Sequence, residues 1–386
     1  MRIAVILLRW ILNFIYFFMK LFPTNNNKVL FLSRQSNTPT EDFVFLEARL
    51  REMKPDIKTV MITKRADKGL GNLIVFALQT LRSMCHLATA RVCVLDSYWP
   101  AVSILKHKDS LAVVQMWHAM GKIKKSGYQS LDKGLGRSSM IAHEMRMHRN
   151  YDVIIAGGKA FNPFYCASFG VEEKVLYNVG LPRMDILREN TEKCRKQFFE
   201  AYPELEGKKI ILYAPTFRKG EILDPKAIVD AFDFNGEQML IIKRHPNQRL
   251  NEENLGSAMT CDEVPTSTVL SVCDCVITDY SAITIEAAIL HKPVYFYLFD
   301  LEDYLSRNGL NVLLSDEFPD SVFYEPEKLF SGIASGVYDY DNYKRFCEKY
   351  LPEQSGRATD KIAALIIDCM RRDKHEAISE HISEQN

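Results

Sequence analysis

The sequence predicts an α/β fold with two Rossmann-like domains that face a cleft, preceded by a helix at the membrane surface. Two observations predict the domains. Short apolar runs alternate with amphipathic stretches after residue 28, and 386 residues exceed the roughly 100–200 of a single domain. A polar turn cluster at 202–209, YPELEGKK, divides the chain into halves of similar size. The helix is predicted by the apolar stretch that opens the chain.

This opening stretch is about as long as a bilayer-spanning helix, so its polar residues decide how it is interpreted. They are spaced 7, 4 and 7 apart, which puts them on one narrow stripe of a helix: Arg2, Arg9, Asn13 and Lys20. The prediction is a helix over 1–23 that lies in the lipid interface with this stripe toward water. A helix buried against the protein, a spanning helix and a signal peptide are the alternatives.

Apolar runs of four to seven residues are typical of strands that are covered on both faces. The first half has such runs at 29–33, 59–63, 90–96, 112–116 and 153–156. The second half has them at 209–214, 239–244, 275–278 and 293–298. Helical patterns between the runs complete parallel βαβ units. The predicted domains are 24–205 and 206–373, the second including C-terminal helices, and a polar, frayed tail follows at 374–386.

Composition excludes several classes of function. The 49 basic and 49 acidic residues cancel, so no overall positive field favours a nucleic-acid partner. The closest pair among nine cysteines, Cys273 and Cys275, lies within an apolar run and lacks a second pair, which favours buried thiols over zinc. No P-loop and no complete G-x-G-x-x-G motif occur. We therefore predict no metal and no cofactor.

Cationic, imidazole and hydroxyl side chains recur directly after the predicted strands, at the edge where parallel sheets bind ligands. They occur in WHAMGKIKKSGY (117–128), NVGLPRMD (178–185), APTFRKGE (214–221), KRHPN (243–247) and TDYSA (278–282). Each segment alone has a structural explanation, such as a structural histidine, a solvated basic face or a helix cap. Their recurrence at the same end of several strands favours a ligand site.

The TDYSA segment is followed at once by a helical pattern, so Ser281 stands at a predicted helix N-terminus. Unpaired amides and a partial positive charge at such a terminus attract anions. Together with Arg218, Lys243 and His245, this turn would form a phosphate clamp. The alternative is a capping turn in which Asp279 interacts favourably with the helix dipole.

Four segments together resemble the CDP-glycerol glycerophosphotransferases of teichoic acid synthesis, and the chain length resembles the short, primase-like members. The segments are WHAMGKIKKSGY, YAPTFR, KRHP and VITDYSAITIEAAILHKPVYFYLFDLEDY, in family order between about residues 110 and 305. The resemblance implies a glycosyltransferase B fold with the site in the inter-domain cleft. It also implies transfer of glycerol phosphate from CDP-glycerol to a polyprenyl-diphosphate-linked acceptor, by a peripheral protein at the cytoplasmic face of the membrane.

The resemblance also implies roles for individual residues. His118 would be the general base, and His245 would lie at the donor phosphates. The expected donor and phosphate-binding residues are Thr216, Arg218, Lys243, Asp279, Tyr280, Ser281, Thr284 and Glu286. The expected acceptor-side residues are Trp117, Gly121, Lys122, Lys125 and Arg183, with a solvated loop as the alternative for the lysines.

The chain departs from the family pattern at three places. Ala119-Met120-Gly121 replaces a common Gly-Thr-Pro, Ala282 replaces a second Ser, and Glu286 replaces an Asp. The first change suggests a subgroup, and the second removes a phosphate donor. A CDP-ribitol transferase, a nucleotide-sugar glycosyltransferase of the same fold and a non-catalytic, membrane-associated binding protein are the alternative functions. The sequence gives no prediction of the oligomeric state.

Overall fold

The computed structural model of this chain describes residues 2–65, 69–134, 136–218, 220–245, 248–353 and 356–385. The contacts within the chain divide it into two compact units. Unit 1 contains Met1–Met120, Ser126–Asp185 and Pro352–Asn386, whereas unit 2 contains Gly121–Lys125 and Ile186–Leu351. Lys219, Pro246 and Asn247, which belong to the segments quoted above, lie outside the described residues.

Unit 1 is built on a six-stranded parallel sheet in the order β2-β1-β3-β4-β5-β6. Its strands are β1 (Asn25–Ser33), β2 (Lys58–Thr63), β3 (Ala90–Leu95), β4 (Ala112–Gln115), β5 (Val153–Ile155) and β6 (Leu176–Tyr177). The helices along this part of the chain are α1 (Arg2–Met19), α2 (Glu41–Met53), α3 (Leu70–Thr89), α4 (Pro100–Ile104), α5 (Ser139–Glu144), α6 (Asn162–Phe169) and α7 (Pro182–Glu189).

The register of this sheet aligns the ends of its central strands. Leu32 of β1 pairs with Leu95 of β3, and Leu95 pairs in turn with Gln115 of β4. The parallel strands end together, so the residues that follow β1, β3 and β4 emerge at one edge. The five apolar runs predicted in this half correspond to β1–β5. β1 begins earlier than predicted because Asn25 already pairs with Ala90.

Unit 2 is built on a five-stranded parallel sheet in the order β13-β12-β11-β7-β9, beside a two-stranded parallel sheet of β8 and β10. The strands are β7 (Lys209–Tyr213), β8 (Ile222–Leu223), β9 (Gln238–Ile242), β10 (Arg249–Leu250), β11 (Cys275–Thr278), β12 (Val294–Tyr297) and β13 (Val322–Phe323). The helices are α8 (Thr191–Ala201), α9 (Lys226–Ala231), α10 (Thr266–Val272), α11 (Ile283–Ile289), α12 (Leu301–Arg307), α13 (Leu314–Glu317), α14 (Pro326–Ser335) and α15 (Tyr340–Tyr350).

The C-terminal segment groups with unit 1, whereas the sequence prediction places its helices in the second domain. The chain returns to unit 1 at Pro352, and its last helices are α16 (Ala358–Arg371) and α17 (Lys374–Ser383). Asp185 at α7 accepts hydrogen bonds from the backbone amides of Ala358 and Thr359, at 3.0 and 2.7 Å, which fixes the start of α16. The tail predicted to fray is helical, because Asp373 caps α17 and Ala377 and Ile378 are buried. The main segment of unit 2 begins at Ile186, whereas the second predicted domain begins at residue 206.

The α/β class with parallel sheets is confirmed. The arrangement of two domains around a cleft stays a prediction.

Candidate functional site

In unit 1, the residues that follow β1, β3 and β4 form a polar cluster around His118. The ring nitrogen Nδ1 of His118 lies 3.1 Å from the backbone carbonyl oxygen of Asp96 and 3.1 Å from Nε2 of Gln35. A carbonyl oxygen only accepts hydrogen bonds, so this contact favours a proton on Nδ1. The lone pair then resides on Nε2, which is the form of imidazole that acts as a base.

The backbone before this histidine is strained in a way that orients it. Trp117 adopts a φ of 61°, in the left-handed region that bulky residues rarely occupy. Its backbone amide donates to Oε1 of Gln115 at 2.8 Å, and the amide group of the same glutamine donates to the carbonyl of Ser97 at 3.3 Å. The Trp117 and His118 rings are 4.3 Å apart and 36° from parallel. Strand β4 therefore ends in a turn that holds the imidazole against the indole.

Asp96 contributes a carboxyl group behind the histidine. Asp96 is 2% exposed, and Ser97 Oγ donates to its Oδ1 at 2.9 Å. Burial raises the pKa of Asp96 to about 6, against opposing hydrogen bonds from Ser33 and Ser97. Asp96 and Gln35 are not among the predicted site residues, although Asp96 ends a predicted strand and so lies at the sheet edge where that site is predicted.

In unit 2, the ends of β7, β11 and β12 are joined by one ionic network. The Arg218 guanidinium donates from Nε and Nη2 to the two oxygens of Asp300, at 2.6 and 2.9 Å. Its Nη1 lies 2.9 Å from Oδ2 of Asp279. Burial acts to lower the pKa of Arg218, but Asp300 and Asp279 outweigh that effect and raise it. The formal charge of the three side chains is −1, so Arg218 is charge-compensated in this structure.

Asp279 organises the turn that follows β11. Its carboxylate accepts from the backbone amides of Thr216 at 2.8 Å and Tyr280 at 2.6 Å. Tyr280 is fully buried, stacks on Tyr304 with ring centroids 4.1 Å apart, and donates its hydroxyl to Asp300 at 3.2 Å. Tyr280, two residues after the end of β11, is therefore an internal support, and Asp279 before it ties two strand ends together.

Ser281 begins a short helix turn. Its Oγ accepts from the Ile283 amide at 3.4 Å, and its carbonyl accepts from the Thr284 hydroxyl at 3.0 Å. Thr284 is 1% exposed, so its hydroxyl is committed to this turn. Helix α11 has seven residues, and Glu286 lies in its first turn. These contacts hold the start of α11, and contact of this turn with a phosphate stays a prediction.

Two predicted donor residues follow β9 and differ from each other. Lys243 is 8% exposed, and its Nζ donates to the carbonyls of Cys261 and Val264, at 2.8 Å each. Its ammonium therefore holds a loop of unit 2, and its contact with a phosphate stays a prediction. His245 is exposed, with its ring 5.1 Å from that of Phe217 and 33° from parallel. The two histidines lie in different units, and their convergence stays a prediction.

The lysine segment after His118 packs within unit 2, and the acceptor-side roles of Gly121, Lys122 and Lys125 stay predictions. Gly121–Lys125 belongs to unit 2, where the Lys125 amide donates to the Gly309 carbonyl at 3.1 Å and the Asn311 amide donates to the Ile123 carbonyl at 2.7 Å. Lys122 is 2% exposed, and burial lowers the pKa of its amino group well below the usual value. Burial also lowers the pKa of Lys124, while Asp279 opposes that effect. Lys122 is thus not part of a solvated loop.

Arg183 is held in an ion pair within unit 1. Its backbone amide and Nε donate to the two oxygens of Asp42, both at 2.9 Å. Asp42 is 1% exposed on the first turn of α2. The pair joins α7 to α2, and the acceptor-side role of Arg183 stays a prediction.

Helix α1 is oriented opposite to the prediction. Its polar stripe packs onto unit 1: Arg2 Nε lies 2.8 Å from Oε1 of Glu144, and Arg9 donates to the Glu144 carbonyl at 2.8 Å. Asn13 donates to the Ile104 carbonyl at 3.0 Å. The prediction directs this stripe toward water, whereas in the structure it contacts backbone and carboxylate groups of the protein. The apolar side of the helix is exposed instead, with the residues Ile3, Leu7, Leu8, Trp10, Ile11, Phe14, Phe17 and Phe18.

Helix α3 packs against α1 and extends this exposed apolar surface. Its contribution consists of Leu70, Leu73, Ile74, Val75, Leu78 and Leu81. We call the exposed apolar residues of α1 and α3 the two-helix face. Monomeric soluble proteins rarely expose contiguous apolar surface of this kind unless it contacts a partner or a membrane. In the described part of the chain, only Arg2–Met19 is a helix long and apolar enough to cross a membrane by length and composition.

The structure brings together Trp117 and His118 in unit 1, and Thr216, Arg218, Asp279, Tyr280 and Ser281 in unit 2. It adds Gln35, Asp96 and Gln115 to the first group and Asp300 and Tyr304 to the second. Among the described residues, no group of three or more His, Cys, Asp or Glu side chains could hold a metal ion.

Comparison with known proteins identifies the family. The model of the CDP-glycerol:poly(glycerophosphate) glycerophosphotransferase family matches residues 14–368. A teichoic acid ribitol-phosphate primase of Bacillus spizizenii is 30% identical over 364 residues, 90% of this chain and 92% of that protein. A teichoic acid glycerol-phosphate primase of Bacillus subtilis is 26% identical over 300 residues, 75% of this chain and 76% of that protein.

The fold is similar to that of the wall teichoic acid polymerase TagF. A TagF variant soaked with CDPG superposes with a TM-score of 0.71 at 16% identity, covering 90% of each chain. This similarity agrees with the glycosyltransferase B class predicted from the sequence. The family match extends over most of the chain and includes every segment that carried the resemblance. The chain therefore belongs to the CDP-glycerol:poly(glycerophosphate) glycerophosphotransferase family.

Proposed function

We propose that the chain transfers a polyol phosphate from a CDP-polyol to a hydroxyl group of a lipid-linked acceptor in teichoic acid synthesis. The observation that carries the proposal is the environment of His118, where the Asp96 carbonyl favours a proton on Nδ1 and hence a basic Nε2. A general base of this kind suits an acceptor alcohol, which must lose its proton as it attacks. Family membership supplies the reaction class.

In the proposed reaction, Nε2 of His118 takes the proton of the acceptor hydroxyl. The acceptor oxygen forms a bond to the phosphorus that carries the polyol. The bond from that phosphorus to the bridging oxygen breaks, and CMP leaves with the electron pair. No resident metal or cofactor takes part in this proposal, and the negative charge that develops on the phosphate oxygens has to be stabilised by the protein.

On the donor side, we assign direct contact with the diphosphate to His245 and the turn at Ser281. His245 is exposed, and protonation would make its imidazole a cation. We assign Arg218 a structural role, in which it joins the ends of β7, β11 and β12 through Asp279 and Asp300. The two carboxylates compensate its positive charge, which supports this role. This assignment differs from the sequence expectation, in which Arg218 and Lys243 contact phosphate directly.

The sequence predicted CDP-glycerol as donor, and CDP-ribitol is the second candidate. The similarity to the ribitol-phosphate primase is higher and spans more of the chain than the similarity to the glycerol-phosphate primase, 30% over 90% against 26% over 75%. This difference favours ribitol phosphate as the transferred group. The proposed base, His118, and the proposed diphosphate contacts, His245 and the turn at Ser281, would serve the transfer of either polyol phosphate.

We further propose that the two-helix face lies in the lipid interface at the cytoplasmic side of the membrane. Its large apolar side chains include Trp10, a residue that suits the boundary between headgroups and acyl chains. The docked polar stripe keeps α1 attached to unit 1 and turns the apolar side outward. A lipid-linked acceptor would then share one plane with the enzyme.

The test is incubation of the purified chain with CDP-glycerol and CDP-ribitol in parallel, over an undecaprenyl-diphosphate-linked acceptor, with product masses as the readout. One of the two donors should add the mass of its polyol phosphate and release CMP. His118→Ala should lower kcat by about 10²–10⁴-fold, the usual contribution of a general base. The matched control is His375→Ala, an exposed histidine at the start of α17. Transfer from neither donor, or His118→Ala activity within about tenfold of the unaltered chain, contradicts the proposal.

A further inference from the structure

The Nδ1 atom of His118 contacts two groups that require different protonation states of this nitrogen. The Asp96 carbonyl, at 3.1 Å, requires a hydrogen on Nδ1, whereas an amide nitrogen of Gln35 at 3.1 Å would require a lone pair there. Both demands cannot be met at once. The oxygen and nitrogen of a glutamine amide have nearly the same shape, so a half-turn of the Gln35 amide exchanges a donor for an acceptor.

The two orientations of this amide correspond to two tautomers of the histidine. With Oε1 toward the ring, Gln35 and Asp96 both accept from Nδ1–H, and Nε2 holds the lone pair. With Nε2 of Gln35 toward the ring, Nδ1 holds the lone pair and the Asp96 carbonyl loses its donor. The first arrangement satisfies more hydrogen bonds in this half-buried site.

We propose that Gln35 is a positioning residue for His118, whose side-chain amide selects the tautomer with a basic Nε2. This inference rests on the proposed function, in which His118 is the base. A wrong tautomer is costly in comparable catalytic histidines, because the ring then presents a hydrogen to the substrate hydroxyl in place of a lone pair.

Gln35 is itself held in place. It follows β1, and its backbone amide donates to Ser33 Oγ at 3.1 Å. The neighbouring Arg34 donates from its backbone to Ser97 Oγ at 3.0 Å and from its guanidinium to the Tyr98 carbonyl at 3.1 Å. Three strand ends therefore meet at the ring: β1 through Gln35, β3 through Asp96 and β4 through His118 itself.

In the described part of the chain, Asp96 and Arg34 are the ionisable residues of the hydrogen-bonded cluster that holds this ring and Gln35. Asp96 supplies the carbonyl contact, and its carboxyl group is affected by Asp42 and Arg183. Arg34 precedes Gln35, and its guanidinium lies over the rings of Phe76 and Tyr98. Gln35 is neutral, so replacing it with Glu adds one negative charge directly beside Nδ1 and changes no other group of this set.

The experiment compares Gln35→Leu and Gln35→Glu with the unaltered chain, and uses Ser36→Ala as the matched control. Ser36 follows Gln35, and its hydroxyl contacts only Thr38 in the described structure. Two quantities are measured. One is kcat and KM for polyol phosphate transfer across pH. The other is the pKa of the His118 ring, obtained from its rate of carbethoxylation at each pH by peptide mass spectrometry, which needs no turnover.

Gln35→Leu should lower kcat about 10–100-fold, as supporting residues of catalytic groups typically do, with KM for the CDP-polyol within about threefold. Gln35→Glu should retain most of kcat. It should raise the pKa of His118 by about one unit, and the acid limb of kcat/KM should move upward by the same amount. Ser36→Ala should match the unaltered chain in both quantities.

The inference is overturned if Gln35→Glu leaves the pKa of His118 unchanged, or if Gln35→Leu retains full kcat. If the unaltered chain transfers neither polyol phosphate, the proposed function fails by itself. The positioning role is then judged by the carbethoxylation measurement alone, where an unshifted ring pKa in Gln35→Glu overturns it. Tryptophan fluorescence, which includes Trp117 next to His118, identifies a variant that has lost its fold.

Discussion

Arg218 and Asp300 form a two-point ion pair in which Nε and Nη2 of the guanidinium contact separate carboxylate oxygens, at 2.6 and 2.9 Å. The two residues are 82 positions apart in the chain and follow different strands of the same sheet, β7 and β12. Asp279, which follows β11 between them, lies 2.9 Å from the same guanidinium. Three adjacent strand ends of unit 2 are thus fixed by one cation.

Asp300→Asn should weaken unit 2 by removing one charge from this network. Arg218 stays paired with Asp279 in this variant, but it loses the charge-assisted two-point contact with Asp300, which costs on the order of 1.5–3 kcal/mol. Polyol phosphate transfer should fall as well, because the turn at Ser281 loses its support. Hydrogen exchange of peptides from unit 2 measures the stability change.

The matched control is Asp303→Asn, three residues further on. Asp303 pairs with Arg307 at 3.1 Å, and 60% of its side chain is exposed, so the loss should stay below about 1 kcal/mol. Equal losses in the two variants would show that the buried network adds nothing beyond a surface pair.

Lys243→Met should destabilise unit 2 and leave donor binding nearly unchanged. The ammonium of Lys243 donates to two carbonyls, and its loss leaves those buried oxygens without their donor, at about 1–3 kcal/mol. KM for the CDP-polyol is compared with that of Lys209→Met, an exposed lysine at the start of β7. A large rise in KM without a loss of stability would restore the phosphate role that the sequence predicted for Lys243.

Strands and strand-end chemistry could be predicted because both depend on local patterns. The runs at 29–33 and 275–278 are buried on both faces, and their apolar composition alone indicates this. His118 and Asp279 follow such runs directly, and parallel pairing brings strand ends to one edge. The residues that were missed, Gln35 and Asp300, also follow strands, but an amide or a single acid gives no signal until its partner is known.

Contacts between distant segments could not be predicted. Lys243 resembles a phosphate ligand in sequence, yet the carbonyls of Cys261 and Val264 come within reach of it only through the folding of the loop after β10. Helix α1 is amphipathic whichever of its sides faces the protein. Its orientation is decided by contacts with Glu144 and Ile104, more than 90 residues away. The same holds for α16, whose start is fixed by Asp185.

Asp96→Asn should make the stability of unit 1 less dependent on pH. Asp96 binds a proton near pH 6 in the folded chain and near pH 3.9 in an unfolded one. The folded state therefore holds more protons between these values, and the contribution of Asp96 to the free energy of unfolding falls as pH rises through this window. The asparagine does not titrate. As the pH is raised from 4 to 7, the free energy of unfolding of the variant should therefore rise relative to that of the unaltered chain by on the order of 3 kcal/mol.

Urea unfolding followed by tryptophan fluorescence measures this difference, because all three tryptophans, Trp10, Trp99 and Trp117, belong to unit 1. Asp109→Asn, at an exposed loop position, is the control and should show no such trend. A constant difference between Asp96→Asn and the unaltered chain across this range would mean that the carboxyl group is not protonated in the folded state.

Leu73→Asp and Leu78→Asp should each weaken binding to lipid vesicles. Both leucines lie on the two-helix face, where Leu73 is 60% exposed and Leu78 is 59% exposed. Burial of a leucine side chain is worth about 1.5–3 kcal/mol, so losing one from the lipid contact should lower the partition coefficient about 10–100-fold. Co-sedimentation with anionic vesicles measures the effect. The control is Leu305→Asp, an exposed leucine of unit 2.

The polar stripe of α1, which packs onto unit 1, allows a second test of the orientation of this helix. Because Arg9 contacts the Glu144 carbonyl, Arg9→Ala should loosen α1 from unit 1 and lower its stability, while the apolar side chains that would contact lipid remain unchanged. A stripe directed at water or lipid headgroups would respond in the opposite way, with vesicle binding reduced and stability unaffected. The pair of measurements on Arg9→Ala and Leu73→Asp therefore decides which side of α1 meets the membrane.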